Sequence, residues 1–533
     1  MEQSWTSLIL SLLLILAAYK VWRNYQQNAP ISRLPPGPPP NALTNSKLCV
    51  SSLSGLVGTS HPTLPIGTSH FLQFAQWCKE YGPIYTFRSG RHIRVVLGTY
   101  KAAVDVLEKE GAATADRPVP PAGDMISHGM RFLLCPAGER HRLLRKAMHM
   151  HFQAKAAQSY RRVQLVNAKQ LVLDILDDPD AHVEHAKRYS ASVILSITYG
   201  RPSPGKKYDP DIAEAEEGLM RFSQCLHPGA YLVNEHPWLR HVLFYGRDLR
   251  KQSRAELAFF RRLMEGVRAD MAGDVDAAAP SLTKYLLENR LGGETGLTDD
   301  ELAYFSGSMF AAGIDTTAAG ISYAIMAAAC HPDAQAQVQS ELDSVVGGER
   351  CPTFSDFDAL PLLRAFVLET LRWRPISAAG IQHRATQDIV YGEYVIPKGA
   401  VVVANHWAIS RDPALFDDAD AFNLARWFDT DREDADVGGH VRLRHDLIFP
   451  GFGFGRRVCP GQDLALSSLT LNIASLLHTF EISQDPARPI DSMDLRESLN
   501  VQPRPFVARF RVRGLGGEKA LRETMRDVWM HDG

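Results

Sequence analysis

The chain opens on an apolar run and then settles into long helical periods broken by a few short alternating stretches. Trp5 to Trp22 is apolar for 18 residues, with Leu8 to Leu10 and Leu12 to Leu16 at its centre. As a helix it spans about 27 Å, enough to cross a hydrocarbon layer. Trp5, Tyr19 and Trp22 would sit at the interfaces, Glu2 precedes the run, and Lys20, Arg23 and Arg33 follow it. That charge order predicts a single-pass anchor with the bulk of the chain cytosolic. A cleaved signal peptide is the alternative; the basic residues after the core and the missing small-x-small site argue against it. Leu34 to Pro40 reads as a stiff, extended hinge. Asn41 to Pro65 is Ser/Thr-rich and aperiodic. The expected division is an anchor over 1–29, a hinge and irregular segment over 30–65, and one large domain over 66–533.

Within that domain the 3.6-residue period dominates. A helix is expected over Phe71–Tyr81, then paired strands at Ile84–Phe87 and Arg94–Leu97, then a helix over Thr99–Glu110. Pro118–Leu134, rich in Gly, Pro and Met, reads as a loop, and Gly138 opens another helix. From Ala154 to Arg290 the pattern is mostly helical, with loops at Gly200–Asp211 and His227–His241. Ile212–Cys225 and Arg247–Met271 are two of the expected helices, which could form a lid over a pocket, with Leu219, Met220 and Phe222 either facing a ligand or packing as ordinary core. Thr298-Asp299-Asp300-Glu301 is a capping box flanked by Leu297 and Leu302 as a hydrophobic staple. It starts a helix running to about Cys330, long enough and rich enough in Ala, Gly and Ser to cross the middle of the domain. Pro332 and Pro361 begin two more helices. Strands are expected at Ile389–Tyr394 and Ala400–Asn405 around the turn Ile396–Gly399, a helix at Gln462–Phe480, and a hairpin tip at Ser498–Pro503. The fold class is mainly α with small β-sheets.

Composition, at 45% hydrophobic and 22% charged residues, is that of an ordered domain. A net charge of −2 leaves no global basic footprint for nucleic acid. Seven scattered cysteines, an odd count without close pairs, argue for a reducing compartment and against a disulfide framework.

The chemistry concentrates at Phe449-Pro450-Gly451-Phe452-Gly453-Phe454-Gly455-Arg456-Arg457-Val458-Cys459-Pro460-Gly461. Its glycines let backbone approach something bulky and flat. A helix starting just after Cys459 aims its positive end at the sulfur, which favours a metal-binding thiolate. Arg457 is placed to meet an anionic group beside the metal. One thiolate cannot hold a bare ion tightly, so a preformed metallocycle is the economical reading. The lesser alternative is a buried structural cysteine.

The spacing Phe452-x-x-Gly455-x-Arg457-x-Cys459-x-Gly461 resembles the heme-binding loop of the cytochrome P-450 superfamily. The resemblance implies Cys459 as the axial thiolate of a heme b iron. Three further motifs accompany it. Ala312-Gly313-Ile314-Asp315-Thr316-Thr317 resembles the family's helix motif in which the threonine orients water and dioxygen and the acid relays protons, which places those roles on Thr316 and Asp315. Glu369-x-x-Arg372 with Arg426 resembles its structural triad; by spacing alone the pair is an ordinary surface i,i+3 contact. Arg145 matches a propionate-binding arginine, His141 stands where a tryptophan is usual, and His383 lies where many members place a propionate-binding histidine. The segments Ser377–Ile381 and Ser498–Pro503 would line the same pocket.

The implied activity is a monooxygenase inserting one oxygen atom of O2 into a hydrophobic small molecule. The implied partners are a separate NADPH-cytochrome P-450 reductase, since no flavin or nucleotide module is evident, and cytochrome b5, with an endoplasmic reticulum location. Arg140, Arg142, Lys146, Arg442, Arg444 and Arg456 are candidates for a basic docking face. The style of the chain is similar to fungal enzymes of secondary metabolism, which suggests a terpenoid or aromatic polyketide substrate. A heme-thiolate isomerase or dehydratase is the alternative enzyme, and a heme sensor or ligand carrier the non-enzymatic one.

Overall fold

The central helix forms where its caps dictate. The Thr298 hydroxyl accepts from the Glu301 amide, and the Glu301 carboxylate accepts from the Thr298 amide at 2.8 Å, so two of the unpaired donors at the helix start are satisfied reciprocally. The computed structural model describes residues 33–38 and 69–514, apart from 90–91, 202–208, 228–229, 274–278, 291–295, 349, 429–442 and 445–448, together with 519, 521 and 522. The expected anchor at 1–29 and the segment 41–65 lie outside the described residues. Among those described, no helix is long and apolar enough to cross a membrane.

In chain order the main helices are α1 (His70–Tyr81), α2 (Pro121–Ser127), α3 (Glu139–Phe152), α4 (Arg161–Asp177), α5 (His182–Tyr199), α6 (Pro210–Leu226), α7 (Arg247–Gly273), α8 (Asp299–Cys330), α9 (Pro332–Val345), α10 (Pro361–Trp373) and α11 (Gln462–Thr479). The strands are β1 (Ile84–Ser89), β2 (His92–Leu97), β3 (His383–Arg384), β4 (Ile389–Tyr391), β5 (Tyr394–Ile396), β6 (Val401–Ala404), β7 (Phe480–Gln484), β8 (Leu495–Glu497), β9 (Val501–Pro503) and β10 (Ala508–Val512). One sheet runs in the order β1-β2-β6-β3, with β2 and β6 parallel; β4-β5, β8-β9 and β7-β10 are separate antiparallel pairs. The proline-rich hinge is docked on this framework. Thr86 donates to the Pro36 carbonyl at 2.8 Å and Val395 to the Arg33 carbonyl at 2.7 Å.

α8 crosses the core and packs along α5. Gly313 is what permits the approach: a Cβ there would come within 2.6 Å of Ile194 on α5, and Ser190 donates to the Gly313 carbonyl at 2.8 Å. The helix continues through this point without a break.

Three expectations are corrected. Pro118–Leu134 is not a plain loop: α2 starts at Pro121, whose fixed φ and missing amide suit a first helical position, and a 3-10 turn covers Phe132–Leu134. The strand expected at Ile389–Tyr394 is a hairpin folded back at Gly392, which has φ 59, and Val401–Ala404 leaves it to pair with β2. Met220 is exposed on the outer face of α6, away from the ligand side that Leu219 and Phe222 take.

Glu369 and Arg372 are no surface pair. Both side chains have 0% exposure. Arg372 Nε and Nη2 donate to the two Glu369 oxygens, each at 2.7 Å, and Arg426 Nε, the Asn423 amide and Trp427 Nε1 donate to the same carboxylate. Glu369→Ala would leave two guanidinium groups facing an empty site. Its expected cost is about 3–5 kcal/mol, the range for breaking a buried pair by removing one partner. Denaturant unfolding of wild type and variant checks this; a loss under about 1 kcal/mol would reduce the network to redundant packing.

Candidate active site

α8 is buried along most of its length but not at its middle. Ala312 is exposed, and Met309, Gly313, Thr316 and Thr317 are half-buried, at helical spacing on one face. That face borders an internal cavity, and Cys459, Pro460 and Gly461 border it too. The Thr316 hydroxyl donates to the Ala312 carbonyl at 3.0 Å, the back-bond to the preceding turn that loosens a helix locally. Asp315 is buried, its carboxylate makes no hydrogen bond among the described residues, and it does not line the cavity. Of the expected pair, only Thr316 reaches it.

The cysteine loop is fixed from several sides. The Cys459 amide donates to the Phe452 carbonyl at 2.9 Å. The Gly455 amide donates to the Glu108 carboxylate at 2.7 Å, and Gly455 sits at φ 63, where a Cβ would come within 2.1 Å of the Leu107 carbonyl oxygen. The Cys459 sulfur opens on the cavity yet lies deep in the protein. Burial raises the thiol above its ordinary range, opposed by the Gly461 backbone and by Arg145. The helix start therefore does not by itself produce the thiolate; a coordinated cation would, since a ligating thiol loses its proton outright.

Basic and hydrogen-bonding groups gather on one side of the cavity. Arg145 Nη2 donates to the Val458 carbonyl at 2.7 Å, tying α3 to the cysteine loop. Arg457 donates to the carbonyls of Ala115 at 2.5 Å and Cys135 at 2.7 Å. Arg117 Nη1 donates to Gln382 at 2.5 Å and Ile381 at 3.1 Å. Burial, then its neighbour Arg457, pulls Arg117 down to about 9; burial pulls Arg457 down to about 10. His383 donates Nδ1–H to the Thr114 carbonyl at 2.8 Å, and burial holds its pKa well below normal, so it is neutral. His406 is fully enclosed, is pulled down to about 4 by burial, and has its Nδ1 without a partner. No Asp or Glu lines the cavity among the described residues.

Of the residues singled out from sequence, Thr316, Arg145, His383, Phe452, Arg457, Cys459 and Gly461 come together at this cavity. Ser377, Ile381 and Asn500 also reach it. His141 does not. It stacks on Phe132 at 5.4 Å, with its Nε2 buried and unpartnered and its pKa down to about 4 from burial and then from Arg457. Sequence reasoning missed Arg117, Arg131 and His406. Arg117 carried the one available signal, a basic residue before Pro118 at the end of a predicted helical unit.

The arrangement defines a buried single-cysteine site: one thiol, a helix face carrying a hydroxyl, and a basic rim. Known proteins agree with that class. The sequence model for the cytochrome P-450 family matches residues 61–510. Cytochrome P-450 monooxygenase 113 of Postia placenta is 45% identical over 497 residues, covering 93% of this chain and 94% of that protein. Cytochrome P-450 monooxygenase aneD of Aspergillus aculeatus is 30% identical over 507 residues, covering 93% and 91%. A zebrafish cytochrome P-450 solved with progesterone superimposes with a TM-score of 0.68 at 24% identity, over 84% of this chain and all of that one, which establishes the shared fold. This chain belongs to the cytochrome P-450 family and is a P-450 monooxygenase. The family implies a heme and electrons from a redox partner. The residues present fit a heme: among the described residues no cluster of three or more His, Cys, Asp or Glu side chains could hold a bare ion, a single thiol lines the cavity, and the basic groups gathered there without a carboxylate in the lining suit a ligand carrying carboxylates.

Cys459→Ala removes the only cysteine lining the cavity among the described residues. Reduced protein with carbon monoxide should lose the absorption band diagnostic of thiolate ligation. Retention of the band in the variant would sink the assignment.

Proposed function

We propose that the chain is a membrane-anchored monooxygenase that oxidises a hydrophobic molecule of terpenoid or aromatic polyketide type in fungal secondary metabolism. It would take electrons from NADPH through a separate reductase, with cytochrome b5 as a second donor. The observation that carries the catalytic part is the cavity with Cys459 on one side and the stripe Ala312, Gly313, Thr316 and Thr317 on α8. Heme b, held by Cys459, supplies the activation of dioxygen. Arg145, His383 and Arg457 would hold its propionates, joined by Arg117 and His406; His141 stacks on Phe132 behind them. Pro460 leads into α11 and Phe452 packs beside the sulfur.

Thr316 holds the distal proton. Its hydroxyl already donates to the Ala312 carbonyl, so its oxygen is free to accept from a water in the cavity, and rotation turns the same group into a donor. Asp315, unbonded and turned off the cavity, takes the outer end of the relay, handing protons inward through water. The apolar walls of Leu219, Phe222, Ile194 and Leu499 exclude bulk water, so protons arrive through this route.

Location and docking rest on composition and surface. The apolar run Trp5 to Trp22 favours an anchor in the endoplasmic reticulum membrane. Trp238, Leu243 and Phe244, exposed between α6 and α7, give the lid a second apolar contact for a bilayer. Arg142, Lys146 and Arg456 are exposed and suit an acidic redox partner; Arg140 is partly committed to Glu301 at 2.8 Å, and Arg442 lies outside the described residues.

Thr316→Ala should keep heme and substrate binding but divert reducing equivalents into hydrogen peroxide. Asp315→Asn should slow turnover by about 10²-fold, typical of lost proton transfer. The ratio of product formed to NADPH consumed is the measurement, and an unchanged ratio in Thr316→Ala would leave that residue a packing group. Deleting residues 1–29 should release much of the protein from membranes with heme incorporation intact. Loss of heme binding in otherwise folded, truncated protein would overturn the anchor reading.

A further inference from the structure

A second charged constellation borders the cavity away from the cysteine loop. Arg131, between α2 and the Phe132–Leu134 turn, is 4% exposed, Glu256 on α7 is 8% exposed, and Tyr304 on α8 is fully buried. Arg131 Nη2 donates to Glu256 Oε1 at 2.5 Å, and the Tyr304 hydroxyl donates to Glu256 Oε2. Of the three residues only Arg131 lines the cavity, and its guanidinium lies 4.2 Å from the centre of the Phe222 ring, which lines it as well. The hydrogen bonds of Arg131 all run through Nη2; its Nε is buried without a partner. A guanidinium has five donors, and leaving them unanswered in a buried site is costly. Glu256 and Tyr304 hold the group through Nη2, while Nη1 of this cavity-lining side chain makes no hydrogen bond among the described residues.

We infer that Arg131, held by Glu256 and Tyr304, is a specificity-determining residue that hydrogen-bonds an uncharged oxygen acceptor of the substrate, a ketone, ester or lactone carbonyl, remote from the carbon that is oxidised. The acceptor is uncharged because Glu256 already cancels the Arg131 charge. A substrate carboxylate would put a second anion beside a single cation in a water-poor site. The acceptor is remote because Tyr304 precedes Thr316 by three helical turns and more, about 18 Å along α8 by its rise per residue. The other arginines lining the cavity, Arg117, Arg145 and Arg457, cluster with the cysteine loop and bind backbone carbonyls there. A substrate spanning the two regions is an extended, largely apolar skeleton with a carbonyl at one end and the reacting carbon at the other. This rests on the reading of the cavity as the pocket for an apolar substrate.

The test is calorimetric titration of the heme-loaded protein with a panel of matched ligands. Each set holds a bicyclic ketone, the hydrocarbon of the same skeleton and the corresponding carboxylate, from decalin to sesquiterpene size. Wild type should bind the ketones about tenfold to a hundredfold more tightly than the hydrocarbons, the value of a hydrogen bond from a charged donor. The carboxylates should bind more weakly than the ketones. In Arg131→Met/Glu256→Gln, which removes both charges together and keeps an acceptor for Tyr304, the ketone-to-hydrocarbon ratio should collapse to near one; the carbon monoxide spectrum checks that the variant is correctly loaded. Equal binding of ketone and hydrocarbon by wild type would overturn the inference and leave the apolar pocket standing, a result that needs no variant. A ratio that survives in the double variant would assign the preference to other donors and overturn it as well. Tightest binding by the carboxylates would overturn the uncharged-acceptor assignment. Binding of none of the panel by wild type would remove the apolar-pocket reading and the inference with it.

Discussion

The cysteine loop of this protein hangs from one carboxylate that never meets water. Glu369 receives five donors: two from Arg372, one each from Arg426, Asn423 and Trp427. A buried anion so fully answered has no low-energy alternative arrangement, because moving any donor leaves a charge unpaired. Its effect reaches Cys459 through contacts that can be followed one by one. Trp427 packs its ring 5.8 Å from Phe449, Phe449 lies 5.9 Å from Phe452, and the Phe452 carbonyl receives the Cys459 amide. From the other side, Arg372 donates to the carbonyls of Ser410, Ala419 and Ala421, pinning the chain that approaches this loop. The sulfur is thus placed by a network that contains no cofactor-binding group of its own.

What the sequence made legible follows from how local each signal is. The capping box at Thr298, the prolines at Pro332 and Pro361, and the cysteine loop are each written within a dozen residues, and each was found where expected. The Glu369–Arg372 spacing was also visible, but its energetic weight was not. An i,i+3 pair reads the same on a wet surface as in a core, and only the folded chain shows zero exposure. Pro118–Leu134 misled because its Gly and Pro content signals turns, while Pro121 at a first helical position is compatible with a short helix. The hairpin at Gly392 was missed for a related reason: Ile396–Gly399 carries the stronger turn signature, and that turn instead leads β5 into β6.

The site residues that escaped notice share one property. Arg117, Arg131 and His406 are ordinary residues in their local contexts and become special only through tertiary burial. Arg117 donates to carbonyls more than 260 positions away, and Arg131 meets Glu256 across 125. No periodicity encodes such partners. A Gly-rich loop announces a close approach, whereas a buried arginine announces nothing until its neighbours are known.

The two regions of the cavity treat charge in opposite ways, and the contrast assigns their ligands. Beside the cysteine loop, Arg117, Arg145 and Arg457 crowd together, all lowered first by burial; Arg457 further lowers Arg117 and Arg145 further lowers Arg457, while Asp116 opposes both shifts. A folded protein holding such a cluster, with no carboxylate among the described residues that line the cavity, suits an anionic guest, since the guest supplies the missing counter-charge on arrival. Beside the lid, the single arginine comes with its own glutamate, so that region is neutral before anything binds. A guest there gains directional hydrogen bonding and apolar contact without settling a charge imbalance. One fold therefore offers a charged cradle for a permanent, carboxylate-bearing group and a neutral, directional contact for a transient, apolar one, and the helix that carries Tyr304 and Thr316 fixes the distance between them.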